Sequence, residues 1–158
     1  MKTKKINLTI TGCLGRMGQQ LIKSASKDKR FKINSLTENK LQRKKIFGIL
    51  PKINSSEAFK KSDVIIDFTI PKCTLEVLDI AAKQKKRVII GTTGFTLKEE
   101  NRLKKISKKI PILKAGNMSL GINLLMYLTE IASKSLGNNF LSKVFEAHHK
   151  FKKDHPSG

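Results

Sequence analysis

The chain has no tryptophan, one tyrosine and two cysteines, and its 12 acidic residues are far outnumbered by 33 basic ones. Each scarcity narrows the function. Cys13 and Cys73 fit no metal-ligand spacing, so both are expected to be reduced and structural, with no metal site. The longest apolar runs fall far short of the roughly 18 residues of a membrane span, so no membrane partner is expected. The lysine-bearing N-terminus has no apolar stretch of signal-peptide length, and the expected location is the cytoplasm. The shortage of carboxylates leaves a formal net charge of +21. Such a charge ordinarily suggests nucleic acid. Here the lysines are scattered, in short clusters such as 83–87 and 104–109, and no aromatic platform is interleaved with them. No specific nucleic-acid partner is therefore expected, only weak attraction to polyanions. The 158 residues, 39% apolar, suffice for one domain with a real core.

The most informative stretch is Gly12-Cys13-Leu14-Gly15-Arg16-Met17-Gly18. It follows a short apolar run at 6–10 and opens into a helix-like run at 19–26. That is the strand, tight turn and helix order of a dinucleotide fold. Glycines let the chain turn sharply, let backbone approach a pyrophosphate and let the helix pack on the strand. The helix N-terminus then offers unpaired N–H groups to phosphate. Leu14 stands where the common fingerprint has its second glycine, so the pattern is G-x-x-G-x-x-G. A second strand over 31–37 ends at Glu38, about 20 residues on, where a carboxylate can accept from ribose hydroxyls. Lys40 close by could attract a 2′-phosphate, so both NADH and NADPH remain open as cofactors.

Strand and helix patterns alternate along the rest of the chain. Strands are expected at 64–68, 87–90, 112–115 and 143–147, and helices at 74–85, 96–108 and 119–136, with Gly137 as a stop. Thr96-Leu97-Lys98-Glu99 matches a capping box. The segment 39–61 reads less clearly. There are no repeats and no low-complexity linker. The alternation predicts an α/β fold with a Rossmann-type, doubly wound parallel sheet. Ligands of such sheets bind at the carboxyl ends of the strands. The turns there are Asp67-Phe68-Thr69-Ile70-Pro71, Gly91-Thr92-Thr93-Gly94 and Ala115-Gly116-Asn117-Met118-Ser119. Asn117 either serves the ligand or holds its own loop through its side-chain amide. Met118 either packs in the core or touches a nicotinamide ring.

The last cluster is Glu146-Ala147-His148-His149, followed by Lys150, Lys152, Lys153, His155 and Pro156-Ser157-Gly158. Two histidines among lysines can bind a dianion and carry a proton near neutral pH. Their spacing does not match a zinc site. On its own the cluster reads equally well as a basic surface turn.

Together these motifs resemble the dihydrodipicolinate reductase family of bacterial lysine biosynthesis, in order and spacing over the whole chain. The matching pieces are the 12–18 turn, Asp67-Phe68-Thr69, Gly91 to Phe95, Asn117 to Asn123, and Glu146 to His149 with Pro156-Ser157-Gly158. The resemblance implies a dinucleotide-binding domain over 1–123 and, over 124–158, a connecting helix and the start of a substrate domain that also builds a homotetramer. It implies reduction of 4-hydroxy-tetrahydrodipicolinate to tetrahydrodipicolinate by NADH or NADPH, in diaminopimelate and lysine synthesis. The small-molecule partner would be a cyclic dicarboxylate. Gly12, Cys13, Leu14, Gly15, Arg16, Met17, Glu38, Gly91, Thr92, Thr93, Ala115, Gly116, Asn117 and Met118 match the family's cofactor positions. His148 matches its proton donor/acceptor and Lys152 its proton donor; His149, Ser157 and Gly158 match substrate contacts. Asn39 stands where the family often has an arginine, and His155 where it has an alanine. The family continues well past the position of Gly158, so most of the second domain is expected to be missing from this polypeptide, and its own reductase turnover is expected to be little or none. Two other readings stand beside a reductase: a dinucleotide-binding remnant without turnover, and a basic nucleic-acid-binding protein.

Overall fold

The computed structural model describes residues 4–148 and 150. The chain divides into two compact units, Met1–Ala115 and Gly116–Gly158. The first alternates strand and helix: β1 (Ile6–Thr11), α1 (Arg16–Lys27), β2 (Phe31–Thr37), α2 (Ser56–Phe59), β3 (Val64–Asp67), α3 (Pro71–Lys83), β4 (Arg87–Ile90), α4 (Leu97–Ser107) and β5 (Ile112–Lys114). The five strands form one parallel sheet in the order β2-β1-β3-β4-β5. The chain runs outward from β1 to β2, then returns to the other side of β1 for β3. The order therefore reverses between β1 and β3, and a doubly wound sheet opens a ligand crevice at such a point.

The core explains why these segments settle as they do. Ile65, Val88 and Ile90 of the central strands pack with Val77, Leu78 and Ala81 of α3 and with Leu103 and Ile106 of α4. Ile10, Cys13, Ile22 and Leu36 form a second cluster under α1. Parallel strands covered by helices in this way read as apolar runs rather than as alternating ones. Pro71 starts α3, where its missing N–H costs nothing. The capping box of α4 is formed: Thr96 N–H donates to Glu99 Oε2 at 2.8 Å, and Glu99 N–H donates to Thr96 Oγ1 at 3.3 Å.

The 39–61 segment folds back on the sheet edge. Lys52 bridges to Thr37, and Ile46 to Ile49 across a turn in which Phe47 and Gly48 both have positive φ. Ser55 caps α2 by accepting from Ala58 N–H at 3.2 Å. The second unit contains α5 (Leu120–Leu136), capped by Ser119 and followed by Gly137. The strand expected at 143–147 does not form. Residues 141–148 carry no regular secondary structure, and Val144 and Phe145 are 91% and 93% exposed. Extended backbone is stable only when a neighbouring strand takes up its N–H and C=O groups. None pairs with this segment among the described residues.

Candidate functional site

The turn after β1 is built from glycine and backbone. Gly12 has φ of +61°, a conformation L side chains rarely adopt, and a Cβ there would stand 2.7 Å from Thr69 Cγ2. Gly18 lets α1 press onto the turn: a Cβ on it would come within 2.2 Å of the Gly12 carbonyl oxygen. Gly15 N–H closes the turn on Gly12 O at 3.0 Å, and Cys13 N–H reaches Thr37 O at 3.2 Å. Gly15 caps α1 without a side chain, and the first turn of α1 holds no carboxylate. The free N–H groups there suit an anion. Leu14 and Met17 lie exposed beside the turn, as does Arg16.

Glu38 faces this turn from the end of β2. Its Oε2 accepts from Leu14 N–H at 3.1 Å, and its Oε1 from Asn39 N–H at 3.1 Å. A cavity of about 250 Å³ opens here, bordered by Gly12, Gly15, Glu38, Asn54, Phe68 and Thr69. Asn54 is a member that sequence reading misses. It accepts from Thr37 Oγ1 at 2.6 Å and donates to Cys73 Sγ at 3.3 Å. Nothing in its sequence neighbourhood marks it. Burial, and after it the Glu38 charge, push the Cys13 thiol up to about 11. Burial also raises Cys73. Neither thiol is poised as a thiolate.

Past β3 and β4 the turns are tied by hydroxyls. Asp67, fully buried at the end of β3, accepts from Thr11, Thr69, Thr74 and Thr92. Thr92 also accepts from Thr69 N–H at 3.0 Å. The 12–18 turn, Glu38, Gly91 and Thr92 are thus brought to one end of the sheet, with Thr69 between the first and the last. Thr93 beside Thr92 is exposed. In sequence Asp67 reads as the head of a rim turn and part of a matching motif; its hydroxyl partners lie on four segments and required the fold.

Ala115 follows β5, and its N–H donates to Ile90 O at 3.1 Å. Gly116, Asn117, Met118 and His148 belong to the second unit. There Asn117 Oδ1 accepts from Ser119 N–H at 2.8 Å, and Asn123 Nδ2 donates to Asn117 O at 3.2 Å. Of the two roles open to Asn117, this geometry supplies loop-holding. Met118 is 43% exposed, not core. His148 Nε2 lies 3.0 Å from Glu146 Oε2. His149, Lys152, Ser157 and Gly158 lie outside the described residues.

Comparison with known proteins bears on what such a site serves. Among solved structures, a dipicolinate-bound dihydrodipicolinate reductase from Paenisporosarcina sp. TG-14 is similar in fold. Its TM-score is 0.65 at 23% identity, over 82% of this chain and 54% of that one. A Rex-family repressor reaches a TM-score of 0.60 at 14% identity, over 84% of this chain and 62% of its own. At such identities the likeness concerns the fold alone. In sequence, the 4-hydroxy-tetrahydrodipicolinate reductase of Pelagibacter ubique is 70% identical over 155 residues, which are 98% of this chain and 60% of that protein. That of Buchnera aphidicola subsp. Baizongia pistaciae is 40% identical over all of this chain and 62% of its own. The chain thus spans about three fifths of the length of these relatives. The family model for the N-terminus of dihydrodipicolinate reductase matches residues 6–118, and that for its C-terminus matches 121–158. Two models in that order over nearly every residue leave one assignment: the chain belongs to the dihydrodipicolinate reductase family.

Proposed function

We propose that this chain acts in the NADH- or NADPH-dependent reduction of 4-hydroxy-tetrahydrodipicolinate to tetrahydrodipicolinate, within lysine biosynthesis. The observation that carries the reading is the turn at the β1/β3 switch point, with Glu38 placed against it. The residues fit a dinucleotide. Gly12 and Gly18 permit the close packing of the turn against Thr69 and α1, α1 begins with free N–H groups, and a carboxylate stands where a ribose would lie. The 12–17 turn would hold the pyrophosphate and Glu38 the adenosine ribose, with 91–93 at the far end; 115–118 are further cofactor positions by the family resemblance. When bound, the nicotinamide supplies a hydride. Glu38 accepts from ribose hydroxyls but repels a 2′-phosphate, and Asn39 offers that phosphate no charge. NADH is accordingly at least as good a ligand as NADPH.

The protein must also deliver a proton and offset two carboxylates. We assign proton transfer to His148, held near Glu146, and to Lys152; His149 and the backbone at Ser157 and Gly158 would take a carboxylate. The dipicolinate held by the Paenisporosarcina enzyme is a dicarboxylate of this kind. The homotetramer implied by the family resemblance belongs to the same reading, and sedimentation of the purified chain checks it. Calorimetric titration with both cofactors, followed by an NADH-oxidation assay with freshly generated substrate, tests the function. Binding of NADH no weaker than NADPH is expected. Tight, salt-dependent polyanion binding with no response to either cofactor would overturn the proposal.

A further inference from the structure

We propose that Asp67 is a positioning residue for dinucleotide binding: its carboxylate gathers the hydroxyls of Thr11, Thr69, Thr74 and Thr92 and so holds the turns after β1, β3 and β4 as one unit. The inference rests on the reading that a dinucleotide binds at this end of the sheet. Asp67 is 0% exposed, so it can reach a ligand only through other residues. Its place is the switch point itself, since its Cα pairs with Thr11 of β1 on one side and Ile90 of β4 on the other.

The four donors occupy four different segments. Thr11 immediately precedes Gly12 and donates to Oδ1. Thr69, in the turn after β3, donates to Oδ1 at 2.8 Å. Thr74, on α3, donates to Oδ2 at 2.5 Å, and Thr92, after β4, to Oδ2 at 3.0 Å. Each hydroxyl is thus placed to donate inward to a carboxylate oxygen, and Thr74 also lies 3.0 Å from Thr92 Oγ1. A hydroxyl oxygen that donates can still accept. Thr92 accepts from Thr69 N–H at 3.0 Å, which ties the β3 turn to the β4 turn. Thr69 then presents its methyl group to Gly12, at the place a Cβ would need. A displacement of any of these turns would leave a buried carboxyl oxygen short of a donor, which is costly. The turns therefore stay in register with one another before a ligand arrives, and less ordering is left for binding to provide. Among the described residues no lysine or arginine pairs with Asp67.

The test compares NADH affinity, read by fluorescence titration, with the midpoint of denaturant unfolding. Thr92→Val deletes a hydroxyl that is already spent on Asp67 and Thr69, at nearly constant volume, whereas Thr92→Ser keeps it. Asp67→Asn turns one of the two acceptor atoms into a donor facing two of the four hydroxyls. Ile106→Val, in the core under α4, serves as a control that lowers stability without touching the turns. Thr92→Val and a folded Asp67→Asn should each bind NADH about tenfold more weakly, the worth of roughly one charge-assisted hydrogen bond. Thr92→Ser should stay within about threefold of the parent, and Ile106→Val should bind as the parent does despite its lower midpoint. If Asp67→Asn fails to fold, Thr74→Val decides, since it removes a fully buried donor to Asp67 that lies outside the turns lining the ligand, and it should weaken NADH binding as Thr92→Val does. Parent-like affinity in Thr92→Val, or an equal loss in Ile106→Val, overturns the assignment. Failure of the parent chain to bind NADH overturns the dinucleotide reading, and this inference with it.

Discussion

The turn after β1 and the turn after β4 border the same end of the sheet but are held by opposite means. The first is held by glycine geometry and by one partly exposed carboxylate, Glu38, reaching across to Leu14 N–H. Water competes for that bond and salt screens it. The second is held from beneath, by Thr92 at 3% exposure donating to a fully buried Asp67. Thr11, Asp67, Thr74 and Thr92 are buried from water, and the bonds among them are correspondingly stronger. One edge of the site can change partners; the other cannot without breaking the interior.

The largest way to break the contrast is at Gly18. Alanine there would drive a Cβ into the Gly12 carbonyl and toward Cys13 Cα, both backbone. Gly18→Ala should cost about 3 kcal/mol, the upper range for overpacking, and urea unfolding would register it. A loss below a few tenths would show that α1 slides freely. Gly15→Val addresses the ligand instead. A Cβ there meets only Gly12 O, at 3.2 Å, so the chain should remain folded. Its NADH affinity should fall about a hundredfold, because a branched side chain occupies the pyrophosphate approach. Unchanged affinity in calorimetry would reduce the glycine pattern to an ordinary turn.

Glu38→Ala is a milder perturbation of the exchangeable edge. NADH binding should weaken only about threefold, because the ribose displaces the bond Glu38 already makes to Leu14 N–H, while NADPH binding changes little, closing the gap between the two. A parent chain that already prefers NADPH clearly would refute this. The smallest effect lies away from both edges. Thr96→Ala removes the cap of α4 and should cost about 1 kcal/mol with no change in NADH affinity. The same box has a pH signature. Glu99 is held below its usual value of 4.5, first by the Thr96 backbone N–H and then by the Thr96 hydroxyl. Its contribution is therefore complete above that value and fades as pH falls through the lowered one. Glu99→Gln should flatten this part of the acid unfolding profile, and an identical profile would show that the box carries no charge dependence.

Much of the fold was readable because local chemistry and burial agree. The strands at 31–37 and 87–90 lie where the apolar runs place them, and Thr96 and Glu99 cap α4 as their spacing implies. What was not readable depends on partners distant in sequence. The 39–61 segment turns through Phe47-Gly48, and Phe is a poor signal for the positive φ it adopts there. The pattern at 143–147 looks like a strand, yet a strand is a relation between two segments. At the site, Glu38 was legible from its distance to the glycines. Asn54 and the Asp67 hydroxyl cluster were not, since each joins residues from separate loops.

The bond between Glu38 and Leu14 N–H has a kinetic consequence. With no ligand present, the carboxylate is already satisfied by the turn it overlooks. A ribose hydroxyl arriving there replaces one partner with another, and the net worth is a difference between two similar bonds. Swapping partners favours quick turnover of occupancy over long residence. Under the proposed function that is an advantage, because a spent hydride carrier has to depart before the next charged one can enter.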